Sequence, residues 1–195
     1  MRTEDIRLKN LLKDRSGILS IEAAIALTSF MFLIMFLVDM GRIYQAQNYV
    51  THGLIQTSKS LSAVSFELER DTNMSKLLTA VEWWADKIFG ENALDSIQLA
   101  AAWEDGDMEE LVQMMYGTCA AGSDQKADDV LKRYGLKDGV GSISFQGTCL
   151  EDGDRDLLVK AQYTVELPFK VFGYEEITLR QNVRSRLWKK WRDQL

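Results

Sequence analysis

The sequence predicts an α+β protein: a long N-terminal transmembrane helix continuing into an extracytoplasmic domain of short helices packed on a small antiparallel three-stranded meander. Three observations carry this. An apolar run from Ile18 to Val38 follows a basic leader, apolar residues recur at steps of four and three from Val50 to Leu68, and the apolar period changes to two after Gly139. The 195 residues are 46% hydrophobic, 10% aromatic and 27% charged with one proline, which excludes a disordered tail or a collagen-like fibre.

Residues 1–17 hold Arg2, Arg7, Lys9, Lys13 and Arg15 against Glu4, Asp5 and Asp14, a net +2. The chain total of -6 therefore leaves -8 for residues 18–195. An acidic body repels phosphate backbones, which argues against a nucleic-acid partner.

Ile18–Val38 is 21 residues, about 31 Å as a helix and close to the thickness of a bilayer core. Its apolar side chains run right round the helical wheel, so it reads as a membrane span and not as a one-sided core helix. Five basic residues precede it and Arg42 alone follows within twenty positions, which places the amino terminus in the cytoplasm. A cleaved secretory signal is the competitor. Val38-Asp39-Met40-Gly41-Arg42 lacks the small residues of its cleavage site.

Glu22 lies inside the apolar run, where an ionised carboxylate costs up to about 3 kcal/mol. Either it stays hydrated at headgroup depth, or the charge has a use. The surrounding residues, Lys13-Asp-Arg15-Ser-Gly17-Ile18-Leu-Ser-Ile-Glu22-Ala-Ala, resemble the processing site of type IV prepilins and pseudopilins. That resemblance implies that a membrane aspartyl peptidase cuts between Gly17 and Ile18. Glu22, then at the fifth mature position, would neutralise the Ile18 ammonium of a neighbouring subunit. Within the superfamily the chain resembles the TadE-like proteins of tight-adherence (Flp) pilus systems. Gly17, Glu22, Ala23 and Ala24 match the start of that family, and Tyr163–Phe169 with Ile177–Trp188 look like its closing strands. Many relatives carry a proline within the apolar helix where this chain has Thr28-Ser29. The resemblance implies a minor pilin or pseudopilin whose partners are the bilayer, a prepilin peptidase and other pilin subunits, with no nucleic acid and no small-molecule substrate. The alternative is a permanently anchored extracytoplasmic sensor or adhesin module without a pilus role.

Beyond the span, Val50, Leu54, Thr57, Leu61, Val64 and Leu68 form a packing seam on a helix that continues to about Glu69. The chain thus divides into a leader (1–17), a span (18–38), a helix extension (39–70) and an extracytoplasmic domain (71–195). Asp71-Thr72-Asn73 caps a second helix, Met74 to Phe89, with Trp83 and Trp84 as core candidates; residues 92–103 fit helix or strand. Two short helices follow, Asp107 to Tyr116 stopped by Gly117 and Asp124 to Tyr134 stopped by Gly135.

Ile143 and Phe145 begin the first strand, closed by Cys149. Val159, Ala161, Tyr163, Val165 and Leu167 mark the inner face of the second, and Ile177, Leu179, Gln181 and Val183 that of the third. Asp152-Gly-Asp154 and Gly173 supply the turns. Pro168 sits near a strand end, where it is tolerated.

The chemistry-bearing motifs are sparse, and the sequence predicts no enzyme and no cofactor. His52 is the single histidine and falls in the helix leaving the span. Asp152, Asp154 and Asp156 start a calcium-loop spacing that fails at Leu157 and Tyr163, leaving a solvated hairpin turn. Glu104, Asp105, Asp107, Glu109 and Glu110 read as a loop and an acidic helix start. Gly139-Val-Gly141-Ser lacks a third glycine and precedes a strand, so it predicts no phosphate site. Cys119 and Cys149 lack C-x-x-C spacing. Both are expected outside the cytoplasm, where they would form a disulfide pinning the helical segment to the sheet; two free thiols are the alternative.

Overall fold

The structure, a computed structural model, describes residues 15–70, 102, 105–151, 155–169 and 173–188. The leader up to residue 14, the expected helix 74–89 with Trp83 and Trp84, most of 92–103, Glu104 and the turn 152–154 lie outside the described residues, as does the Leu68 side chain.

Helix α1 spans Arg15–Arg70, 56 residues without interruption, a rod of about 84 Å. Its first part is bare: Leu19, Ile21, Ile25, Leu27, Phe30 and Phe32 are all more than half exposed. Burial begins at Asp39, includes Ala46, and then follows the expected seam through Val50, Leu54, Thr57, Leu61 and Val64. Against this stripe pack helix α2 (Met108–Ala121), through Leu111, Val112, Met115 and Tyr116, and the sheet. Helix α3 (Asp124–Arg133) packs on α2 and seats Leu131 in the same core.

Gly53 permits the closest approach. A Cβ there would stand 2.7 Å from the Tyr116 ring, so glycine lets the ring lie flat against the helix backbone.

Asp107 caps α2 as expected, accepting from the Glu110 amide at 3.0 Å. Gly117, however, does not stop it. The helix runs on to Ala121 and ends where Gly122 takes φ 80° and donates to the Thr118 carbonyl. A Cβ on Gly117 would collide with Asp124, so this glycine serves the approach of α3 to α2 and keeps helical backbone angles. The second stop holds: α3 ends at Arg133, and Gly135 follows at φ 95°.

The sheet has the order β1-β2-β3, all antiparallel, with β1 Cys149–Glu151, β2 Asp156–Glu166 and β3 Glu176–Arg186. Leu157, Val159, Ala161, Tyr163 and Val165 are buried on the inner face of the central strand, as the alternation predicts. On β3 the residues from Ile177 to Val183 alternate in the same phase but only half-buried, as befits an edge.

The first strand departs from expectation. Gly139–Ser142 is a 3-10 turn, Ser144 makes a lone bridge to Gln162, and regular pairing resumes only at Cys149 opposite Leu158. Between those two pairs this chain has one residue more than β2, a bulge centred on Gly147 at φ 83°. Thr148 mends the ladder: its hydroxyl accepts from the Lys160 amide at 3.1 Å and donates to the Phe145 carbonyl at 2.7 Å.

Candidate membrane and assembly site

α1 is long and apolar enough to cross a membrane. The first described turn contains the Gly17–Ile18 bond. Glu22 lies one turn further on, exposed among Leu19, Ile21 and Ile25, and among the described residues it has no ion-pair partner. The Thr28 hydroxyl donates to the Ala24 carbonyl at 2.8 Å, a back-bond that keeps the helix while loosening it slightly.

The apolar run ends at a carboxylate that sequence reasoning passed over. Asp39 is 1% exposed. One of its oxygens accepts from the Phe169 backbone amide at 3.2 Å, and the other has no hydrogen-bond partner among the described residues. One turn on, the Arg42 guanidinium donates to the carbonyl of Arg133 at 3.1 Å, covering the last turn of α3. The signal was present as an isolated Asp directly after the apolar run with Arg three positions later, but nothing in the sequence indicated that Phe169 would lie against it.

The expected disulfide is not made. Cys119 and Cys149 are both free thiols. Cys119 is turned toward α1, where it lies against Thr57 and Ser60, while Cys149 belongs to the short edge strand β1. Burial pushes the Cys119 thiol up to about 11, in spite of the hydrogen bonds from Ser60 and Thr57 that act the other way.

The remaining motifs are used structurally. Asp156 is held by Arg184 at 3.0 Å and Arg186 at 3.2 Å on the neighbouring strand. Asp128 accepts from the Val140 amide at 2.7 Å, so a carboxylate of the chain itself occupies the Gly139–Ser142 turn. His52 is exposed and faces Gln56 one turn on. Among the described residues no group of His, Cys, Asp and Glu side chains is placed to hold a metal ion.

Residues 17–56 match the family model of TadE-like proteins. They form a TadE-like domain. No curated protein and no solved structure matches the chain. The TadE-like domain begins at Gly17, contains the whole apolar run with Glu22, and ends just beyond the Gly53 contact with Tyr116. It implies a role in Tad/Flp pilus biogenesis, in a family that is typically non-enzymatic.

Proposed function

We propose that this TadE-like chain is a minor pilin or pseudopilin that assists assembly of a tight-adherence pilus. It crosses the membrane once through residues 18–38, with the amino terminus in the cytoplasm and residues 39–195 outside. Its action is binding and scaffolding, and its partners are a prepilin peptidase, which removes residues 1–17 after Gly17, and other pilin subunits.

The observation that supports this best is Glu22: a carboxylate on a bare apolar helix with no ion-pair partner among the described residues. Such a charge opposes insertion, and a cation supplied by a neighbouring subunit offsets that cost. An Ile18 ammonium freed by cleavage has the required sign and depth.

Mass spectrometry of the membrane-extracted protein from a host carrying a prepilin peptidase tests the reading. The expected product starts at Ile18, and Gly17→Leu should accumulate with Met1 retained. A wild-type chain that keeps residues 1–17 in that host would instead favour the permanently anchored sensor or adhesin.

A further inference from the structure

Beyond β2 the chain reaches the end of the apolar run of α1 at Phe169. The strand and the helix lie side by side. Gln181 donates to the Gln47 carbonyl at 3.2 Å and accepts from Thr51 at 3.0 Å, and the Trp188 amide donates to Ser65 at 3.0 Å. From Gln181 to Trp188 the strand rises about 23 Å. From the middle of Gln47–Thr51 to Ser65 the helix rises about 24 Å, so the two advance in step. In the other direction, Glu176 pairs with Glu166, which lies beside Gly135 and Arg42. Continued by the Leu167–Glu175 bond, that register sets Tyr174 opposite Pro168, one residue short of Phe169, and so level with Asp39 at the end of the apolar run. Two hydrogen bonds fix the connection there: the Phe169 amide to Asp39, next to Val38, and the Leu167 amide to the Glu175 carbonyl at 2.9 Å.

The groups at this level suit a lipid boundary. Tyr174 is 66% exposed and Pro168 is exposed. Tyr44 and Met40 are exposed on α1 at the same end. Arg133 is exposed near Arg42, which is itself bonded to the Arg133 carbonyl, while Lys137 is paired with Glu166 at 3.6 Å. Aromatic rings flanked by basic residues are the composition of a bilayer interface.

We propose that the described ends of the β2–β3 connection, residues 167–169 and 173–175, are a second membrane-contacting element. Pro168, Phe169 and Tyr174 rest in the headgroup layer of the same bilayer that α1 crosses, with Arg133 toward the headgroup phosphates. The inference rests on the reading of residues 18–38 as a span.

The test uses the full chain in vesicles of phosphatidylethanolamine and phosphatidylglycerol, with Cys119→Ala and Cys149→Ala as background. Single nitroxide labels are placed at Tyr174→Cys, Pro168→Cys, Asn182→Cys and Leu33→Cys, and each is scored by its accessibility to oxygen relative to a water-soluble nickel chelate. The expected result is an oxygen-to-nickel ratio at 174 and 168 several-fold above that at 182 and below that at 33. Ratios at 174 and 168 equal to that at 182, with a lipid-like label at 33, overturn the inference and leave the span intact. A water-like label at 33 overturns the span reading and the inference with it.

Discussion

Asp39 has two oxygens in very different circumstances, one bonded to the Phe169 amide and one buried without a partner among the described residues. Removing the carboxylate leaves the Phe169 amide unsatisfied, a loss of about 1–3 kcal/mol. Asp39→Ala should therefore speed hydrogen exchange at Phe169. Asp39→Asn, which retains an acceptor oxygen, should preserve protection, and equal exchange in both variants would contradict the assignment. Cys119 offers a second test at this scale. Its thiol is held neutral by burial, so at pH 8 Cys149 should be alkylated well before Cys119 in the native protein, and both should react once the unreduced protein is denatured. The same burial sets a pH dependence. Cys119 is raised from 9.0 to about 11 and Tyr163 from 10.0 to about 12, chiefly by desolvation. Their contribution to stability is fully present below pH 9 and is lost as pH rises through 11 to 12, because the unfolded chain ionises first. Denaturant midpoints should fall between pH 8 and pH 11; a midpoint that rose over that window would refute the burial of these groups.

On α1 two glycines with the same helical backbone should respond in opposite directions to alanine. Gly41 has open space around its missing Cβ, so Gly41→Ala should stabilise by about 0.5–1 kcal/mol through helix propensity. Gly53→Ala gains the same propensity but drives a methyl into the Tyr116 ring, where overpacking costs about 1–3 kcal/mol. Urea unfolding of the detergent-solubilised protein should rank Gly41→Ala above wild type and Gly53→Ala below it. The sequence made the seam of α1 legible because Val50, Leu54, Leu61 and Val64 keep one helical period, and β2 legible because its inner face is apolar at every second residue. Gly117 misled because a glycine that stops a helix and one that admits a neighbour look alike in sequence; only the seat of Asp124 against it tells them apart. The first strand was drawn too regular for a related reason: Gly147 in a polar stretch reads as an ordinary turn residue, and the extra residue opposite β2 appears only once the register is known. Glu22 was legible as a charge among apolar residues. Asp39 was not, since its partner lies 130 positions away.

For the molecule as a whole, the proposed role separates two demands on Glu22. Glu22→Val should preserve or improve membrane insertion while impairing pilus formation, measured as surface pilin against total membrane-embedded protein; normal pilus yield in that variant would leave Glu22 as a hydrated headgroup residue. The uninterrupted α1 matters here because it joins the exposed span directly to the buried seam with no joint between them. It behaves as a stiff shaft, on which the compass bearing of Glu22 dictates which flank of the folded body a neighbour meets. One alanine inserted after Met31 would turn the body by about 100° and lift it about 1.5 Å. A neighbour gripping the shaft at Glu22 would then face a different side of the body, so misalignment at the carboxylate and misalignment at the sheet amount to a single torsional error.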